Sequence, residues 1–181
     1  MKFKPDTISL ASLVIAFASA FLYFLGGLYL VPALIGIVFA SFFDAIDGEV
    51  ARQRNLQSPR GDYVDHVIDR YVDAALIIGI GLSPYGNAVV TIFAVSGIML
   101  TSYLGTQAQA IGLDRDYEGI MGRANRLVLI IVLGALQIIL PVSYPMGILT
   151  MTPSLVLLII LAIGGHATAV TRVRRAMQKL K

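Results

Sequence analysis

The chain alternates between long apolar stretches and short charged ones. Residues 7–43, 74–113 and 127–171 contain no Asp, Glu, Lys or Arg. Each stretch is about twice the roughly 20 residues that one helix needs to cross the hydrocarbon of a bilayer. Each also has Gly and Pro turn signals near its middle, in GGLYLVP, LSPYGN and PVSYPMG. Because backbone groups in lipid need internal hydrogen bonds, the pattern predicts three helical hairpins, hence an all-α membrane protein with six transmembrane helices.

The charged residues all fall on one side of this predicted fold. All 14 Lys and Arg and all 11 Asp and Glu lie at the termini or between the hairpins, and the hairpin turns carry none. The positive-inside rule predicts a multi-pass protein of the cell membrane, with the charged side and both termini in the cytoplasm. The net charge of +3 suits anionic lipid headgroups. Its position beside the spans argues against a nucleic-acid partner.

Composition supports the same class of protein. Hydrophobic residues make up 57% of the chain and charged residues 14%, whereas a soluble domain has about a quarter charged residues. The absence of cysteine excludes disulfides and thiolate chemistry. The first apolar run continues into a full hairpin, so it is interpreted as a retained span and not as a signal peptide. With no long linker, residues 1–181 are expected to form a single domain.

Aspartates are concentrated between the first two hairpins. The second helix is expected from about Val31 to about Arg54, and the third from near Gly61 or Asp62 to about Leu82, with a tight turn between them. Helical spacing places two aspartates on one face of the second helix and four in a stripe along the third. These six residues are Asp44, Asp47, Asp62, Asp65, Asp69 and Asp73. Two helices joined by a short turn would bring at least four of these carboxylates together.

Such a cluster is costly to bury without a counter-charge, because like charges repel and ionised groups lose hydration. Hard divalent cations with oxygen ligands are the usual compensation, so two Mg²⁺, Mn²⁺ or Ca²⁺ ions are plausible here. A metal pair of this kind suits a diphosphate substrate. His66 lies about 100° from Asp65 around the helix and is interpreted as a neighbour of the ligands. The alternative is a solvated acidic face paired with arginines; Asp62 would then cap the third helix and Asp73 would pair with an arginine.

The spacing of the cluster resembles the motif of the CDP-alcohol phosphotransferases. The matching residues are Asp44, Asp47, Gly48, Ala51 and Arg52, then eight residues, then Gly61, Asp65 and Asp69. Every fixed position and both gaps of that motif agree, and the family core also has six spans. The resemblance implies transfer of a phosphatidyl-type group from a CDP-lipid to an alcohol, with release of CMP.

The resemblance also implies roles for individual residues. Asp44, Asp47, Asp65 and Asp69 would hold two divalent cations, Mg²⁺ or Mn²⁺, and Asp69 would also deprotonate the acceptor hydroxyl. The CDP-lipid would be bound by Pro5 and Asp6, before the first span, and by Gly48, Ala51, Arg52 and Gly61. A homodimer in the lipid bilayer is a further expectation from the family.

The identity of the acceptor alcohol depends on the basic residues of the other hairpins. Arg123 and Arg126 share one helix face, and Arg172 is the first charge after the last apolar run. Together with Arg115, these guanidinium groups would suit an acceptor that carries its own phosphate. The other reading is ordinary anchoring at the membrane surface, which is preferred for Arg174, Arg175, Lys179 and Lys181.

Segments around these arginines resemble phosphatidylinositol-phosphate and archaetidylinositol-phosphate synthases. GRANRL and VTRVRR are similar to segments of those enzymes, and so is SYLGTQAQAIGL, although Gly105 and Gln107 replace its basic residues. The archaeal pattern fits this departure better. The resemblance therefore implies inositol-1-phosphate as the acceptor and a CDP-lipid of archaeol or diacylglycerol as the donor, with archaetidyl transfer favoured. Glycerol-3-phosphate is the near alternative, as in phosphatidylglycerol-phosphate synthases.

Three rival functions remain at this point. An ion transporter could use intramembrane acids, but it would need them near the midplane, whereas all of these acids lie on one side. A structural membrane subunit would not need the motif's spacing. Intramembrane prenyltransferases also bind diphosphates through aspartates and metals, but their acidic motifs lie on separate, distant segments. Metal-dependent release of CMP from a CDP-lipid would distinguish the proposed enzyme from all three.

Overall fold

The computed structural model describes residues 5–53, 59–147 and 149–180, and it describes side chains within these ranges except at residues 5–9 and 44–53. The described chain is almost entirely helical, as expected. The helices are α1 (Pro5–Leu25), α2 (Leu30–Gln53), α3 (Pro59–Gly81), α4 (Ala88–Ala110), α5 (Arg123–Ile139) and α6 (Pro153–Lys179). A 3₁₀ turn, Gly27–Tyr29, precedes α2, and two short strands, β1 (Tyr144–Met146) and β2 (Leu149–Met151), lie between α5 and α6.

Proline marks the start of three helices. Pro5, Pro59 and Pro153 are the first residues of α1, α3 and α6, where proline's missing N–H costs nothing and its fixed φ suits the helix. As a result α3 begins a little before the predicted Gly61 or Asp62. Asp62 therefore lies inside the first turn of α3. The predicted limits of α2 are confirmed to within one residue.

The chain divides into two compact units, Met1–Pro84 and Tyr85–Lys181. In the first unit, α1 packs against both α2 and α3. A Cβ added to Gly36 of α2 would strike the Ser19 hydroxyl, and one added to Gly79 of α3 would strike the backbone of Ala20. Small residues let helix backbones approach closely in membrane proteins. The adjacent α1 residues Ser19 and Ala20 therefore contact two different helices, α2 and α3.

In the second unit, α6 packs against both α4 and α5. A Cβ on Gly165 of α6 would lie 2.8 Å from the backbone carbon of Gly97 on α4. The Thr101 hydroxyl of α4 donates to the Gly165 carbonyl at 2.8 Å. Gly165 therefore takes part in both the close backbone packing and the hydrogen bond between α4 and α6.

The connection between α5 and α6 is more ordered than the turn that the sequence predicts. β1 and β2 pair antiparallel, with Pro145 opposite Thr150. The Thr152 hydroxyl accepts from the Leu155 N–H at 3.0 Å and so caps α6. The buried amide of Gln137 accepts from both the N–H and the hydroxyl of Ser154. A side chain of α5 therefore fixes the start of α6.

Two helices, Ala88–Ala110 and Pro153–Lys179, contain stretches long and apolar enough to cross a membrane, and Leu10–Leu25 and Gly27–Phe43 are shorter apolar helical stretches. Large apolar side chains are also exposed. On α1 they recur at helical spacing and include Leu10, Val14, Phe17 and Phe21. An exposed apolar stripe of this kind suits contact with lipid chains.

Candidate active site

The acidic stripe of α3 passes from exposed to buried along the helix. The Asp62 side chain is exposed, whereas Asp69 is only 4% exposed and Asp73 only 2%. One ligand atom each from Asp65, His66 and Asp69 lies within 4.8 Å of the others. The helical spacing of the two aspartates therefore brings their carboxylates together, as the sequence predicted for this half of the motif.

His66 approaches the aspartates more closely than its helical position suggested. Its ring is long enough for a nitrogen to join the group formed by Asp65 and Asp69. The same side chain also places Nε2 3.2 Å from Oδ1 of Asp62. We interpret it as a bridge between the exposed and buried parts of the stripe.

Arg70 links the two buried aspartates. Its Nη2 atom lies 3.3 Å from Oδ2 of Asp73 and 3.7 Å from Oδ2 of Asp69. The pairing of Asp73 with an arginine was one of the two readings of that residue, and the structure supports it. Arg70 also offsets part of the repulsion that two buried carboxylates one turn apart would experience.

Several predicted site residues lie where side chains are not described. The side chains of Asp44, Asp47, Gly48, Ala51 and Arg52 lie outside the described residues, although their backbones belong to α2. The same holds for Pro5 and Asp6 at the start of α1. The meeting of the two halves of the motif therefore stays a prediction. Gly61 lies in the first turn of α3.

The described donors fit a hard divalent cation. Asp65 and Asp69 supply carboxylate oxygens, which are the ligands that Mg²⁺ and Mn²⁺ prefer. Asp69 is buried, so its charge is poorly hydrated and a bound cation would offset that cost. The site holds no cysteine, since the chain has none, and this leaves little reason to expect zinc.

The predicted acceptor arginines all belong to the second unit, but they differ in their surroundings. Arg123 is the first residue of α5, and Arg126, one turn later, is 3% exposed. Arg115 stacks over the ring of Tyr117, with 4.9 Å between the guanidinium carbon and the ring centroid. Burial of Arg126 at the start of an apolar helix is costly for a surface anchor. Burial therefore argues against surface anchoring for that residue, and its binding of an acceptor phosphate stays a prediction.

Arg172 is held by backbone carbonyl groups of two segments. It is 8% exposed, its Nη1 donates to the Thr101 carbonyl at 2.6 Å, and its Nε donates to the Glu118 carbonyl at 3.2 Å. A Cβ on Gly105 would lie 2.6 Å from Nη1 of this arginine. The glycine that replaces a basic residue of the resembled segment thus leaves room for the Arg172 guanidinium.

Sequence reasoning missed the role of Arg175. It was assigned to the membrane-anchoring residues, but its Nη1 lies 3.4 Å from Oδ1 of Asp116 and its Nη2 3.1 Å from Oε2 of Glu118. Only its spacing could have given a signal, since it lies three residues after Arg172 on the same helix. The acids that it contacts are about 60 residues away in the sequence, so no local pattern connects them.

Comparison with known proteins identifies the family to which the chain belongs. A model of the CDP-alcohol phosphatidyltransferase family matches residues 3–170, which cover most of both compact units. The chain belongs to this family. It is therefore a CDP-alcohol phosphotransferase, and the family is integral to the membrane and uses divalent cations, a CDP-alcohol donor and an alcohol acceptor.

Curated relatives support this membership. The chain is 29% identical over 176 residues to the phosphatidylinositol phosphate synthase of Streptomyces avermitilis, with 94% of this chain and 70% of the relative covered. It is 30% identical over 126 residues to the archaetidylinositol phosphate synthase of Methanothermobacter thermautotrophicus, with 70% of this chain and 63% of the relative covered.

The fold is shared with a phosphatidylinositol phosphate synthase of Mycobacterium tuberculosis. Its crystal structure with CDP-DAG bound has a TM-score of 0.79 and 24% identity, and 96% of this chain and 86% of that one are covered. The same protein in complex with manganese and citrate has a TM-score of 0.80, with 97% of this chain and 83% of that one covered.

Proposed function

We propose that this CDP-alcohol phosphotransferase transfers a phosphatidyl-type group, and most specifically an archaetidyl group, from a CDP-lipid to inositol-1-phosphate. The observation that carries the acceptor assignment is the similarity to both phosphatidylinositol phosphate and archaetidylinositol phosphate synthases. Relatives named for phosphatidyl and for archaetidyl transfer both match the chain, so the test of this proposal compares donors with diacylglycerol and with archaeol.

The reaction replaces the anhydride bond between the two phosphates of the donor with a phosphate ester bond to the acceptor. The acceptor hydroxyl oxygen forms a bond to the lipid-side phosphorus, the anhydride bond to the cytidine-side phosphate breaks, and CMP leaves. Asp69 takes the hydroxyl proton. A general base must be held within hydrogen-bonding reach of the proton that it removes. The burial of Asp69 and its position beside Asp65 hold its carboxylate at the proposed metal site, which supports this role.

The aspartates Asp44, Asp47, Asp65 and Asp69 hold two divalent cations in this proposal, Mg²⁺ or Mn²⁺. When bound, such cations neutralise the diphosphate and the phosphate that leaves with CMP. Gly48, Ala51, Arg52 and Gly61, with Pro5 and Asp6, bind the CDP portion of the donor. The crystallisation of the mycobacterial fold relative with manganese supports the choice of a hard cation.

The acceptor's own phosphate is bound by guanidinium groups of the second unit. Arg123 and Arg126 present donors from the first turn of α5, where the helix N-terminus also favours an anion. Arg115 and Arg172 complete the set. Arg172 is oriented by the Thr101 and Glu118 carbonyls, so its position is fixed before an acceptor arrives, which lowers the entropic cost of binding.

We further propose that residues 1–181 form a single domain of six transmembrane helices in the cell membrane, with both termini and the active site on the cytoplasmic side. The confinement of all charged residues to the ends of the chain and the inter-hairpin segments supports this orientation. A homodimer is part of the same proposal and rests on family membership.

The decisive experiment is CMP release by the purified protein in detergent or nanodiscs. CDP-archaeol and CDP-diacylglycerol are each offered with Mn²⁺ or Mg²⁺ and one of inositol-1-phosphate, glycerol-3-phosphate, inositol or serine. The proposal expects turnover with inositol-1-phosphate that is lost in Asp69→Asn. Turnover with glycerol-3-phosphate instead would keep the reaction and overturn the acceptor. Turnover with free inositol as efficient as with its phosphate would remove the role assigned to the arginines.

A further inference from the structure

The segment between α4 and α5, residues 111–122, lies against α6 at three successive levels. We call it the connecting segment. Its acids Asp116 and Glu118 pair with Arg175, the Glu118 carbonyl accepts from Arg172, and the Met121 N–H donates to the Thr168 hydroxyl at 3.3 Å. These three α6 residues are spaced by three and four, so one face of the helix makes all the contacts.

Close packing accompanies the polar contacts. Gly119 has φ +140°, and a side chain there would collide with Thr168. A Cβ on Gly105 of α4 would lie 2.8 Å from the Asp116 carbonyl oxygen. The connecting segment therefore approaches α4 closely at Gly105 and α6 closely at Gly119.

Of the three α6 residues that contact the connecting segment, Arg175 is the one that forms ion pairs with its acids. It reaches both acids with separate nitrogens, and the Asp116 side chain is only 16% exposed, compared with 79% for Glu118. Exposed ion pairs contribute little because water and salt screen them. Of the two ion pairs, the one with Asp116 is therefore the less screened by water.

The connecting segment leads directly into the first turn of α5. Met121, held by Thr168, is followed by Gly122 at the N-cap position and by Arg123 as the first helical residue. The Arg126 N–H donates to the Gly122 carbonyl at 3.1 Å. Any movement of the connecting segment away from α6 therefore also moves the start of the helix that carries Arg123 and Arg126.

We propose that Arg175 is a positioning residue for the acceptor site. By holding Asp116 and the connecting segment against α6, it sets the register of the first turn of α5 and of its two arginines. This inference rests on the proposed function, in which those arginines bind the acceptor's phosphate. Arg175 does not contact the substrate in this proposal, whereas Arg123 and Arg126 do.

The kinetic test uses Arg175→Gln, with Arg174→Gln as the matched control. Arg174 is the preceding residue, is exposed, and loses the same charge. CMP release is measured while inositol-1-phosphate and the CDP-lipid are varied in turn. We expect the KM for inositol-1-phosphate to rise about tenfold in Arg175→Gln, with the KM for CDP-lipid unchanged and Arg174→Gln like wild type, because a small displacement of a binding group weakens the interaction strongly. Equal acceptor KM values in the two variants would overturn the inference.

A charge exchange separates positioning from direct phosphate binding. Arg175→Asp alone and Asp116→Arg alone should each raise the acceptor KM, and the double variant should restore it to within about threefold of wild type, since the ion pair is re-formed in reverse. If Arg175 bound the phosphate itself, the double variant would stay impaired. That result would overturn the positioning role.

Hydrogen exchange tests the inference without relying on the acceptor's identity. Amides of residues 116–126 should exchange faster in Arg175→Gln than in Arg174→Gln, because exchange reports local opening. Failure of wild-type protein to use inositol-1-phosphate would defeat the proposed function, yet the exchange difference would still show whether Arg175 holds the segment. Identical exchange in the two variants would overturn the inference even if the proposed function stands.

Discussion

Nη2 of Arg70 lies 3.3 Å from Oδ2 of Asp73, while the same nitrogen lies 3.7 Å from Oδ2 of Asp69. One guanidinium group is thus shared between a predicted metal ligand and a second buried carboxylate one turn further along α3. Asp73 is the nearer of its two partners. We infer that Asp73 keeps the arginine's positive charge from competing with a cation at Asp69.

Replacing Asp73 by Asn tests this relationship. Without the Asp73 charge, the guanidinium would move toward Asp69 and oppose a cation there. We expect the Mn²⁺ concentration for half-maximal CMP release to rise about tenfold, a modest effect for a unit charge at this distance and an intermediate dielectric. Asp62→Asn serves as the control, since Asp62 is an exposed aspartate of the same helix. A Mn²⁺ requirement equal to that of wild type would show that Asp73 has a different role.

The two carboxylates grouped on α3 should respond differently to added metal. Asp65→Asn removes a proposed ligand, so excess Mn²⁺ should recover part of its activity. Asp69→Asn removes a ligand and the proposed base, and loss of a general base alone costs about 10²- to 10⁴-fold in rate. Its activity should stay low at every Mn²⁺ concentration. Assays of both variants over a wide Mn²⁺ range check this, and equal recovery by metal would argue against Asp69 as the base.

We predict that the Arg172 guanidinium can keep its position only because Gly105 has no side chain. In Gly105→Ala the new Cβ would lie 2.6 Å from Nη1 of Arg172 and 2.8 Å from the Asp116 carbonyl oxygen. Both groups would have to shift, so we expect a loss of stability of about 1–3 kcal/mol and a higher KM for the phosphorylated acceptor. Thermal unfolding and CMP release measure the two effects. Thr106→Ala, at the next and exposed position of α4, should change neither.

Two adjacent glycines of α6 provide a direct test of helix packing. A Cβ on Gly165 would meet the backbone of Gly97 and Ile98, which has little freedom to move, whereas one on Gly164 would meet the flexible end of Met121. Gly165→Ala should therefore cost about 1–3 kcal/mol of unfolding free energy and Gly164→Ala clearly less. Thermal melting in one detergent compares them. The reverse order would mean that α4 and α6 do not approach as closely as the structure shows.

Much of the fold could be predicted from the sequence because it follows from local rules. The charge-free stretches and their Gly and Pro signals predicted the helices and the places where they turn, and the structure has helix ends at each of those turns. The limits of α2 were predicted to within one residue. The β1–β2 pairing was not predicted, because three-residue strands have no recognisable hydrophobic period.

The part of the acidic site that lies on α3 was also readable from the chain. Asp65 and Asp69 are four residues apart, and helical geometry alone brings such side chains together. Sequence spacing could not show that His66 pairs with Asp62, or that Arg70 is shared between Asp69 and Asp73, because several rotamers of these long side chains satisfy the same spacing. The choice among them depends on burial and on neighbouring charges.

What the sequence by itself determined is the set of helices, the confinement of charge to the termini and to the segments between the apolar stretches, and the motif that marks a CDP-alcohol phosphotransferase. These properties depend on residues within one or two helical turns of each other, or on apolar length. Only the tertiary structure decided that Arg172 fits over Gly105 and that Arg175 holds Asp116. The partners lie some 60 residues apart in the sequence, and the packing of α6 against α4 and against the connecting segment brings them together.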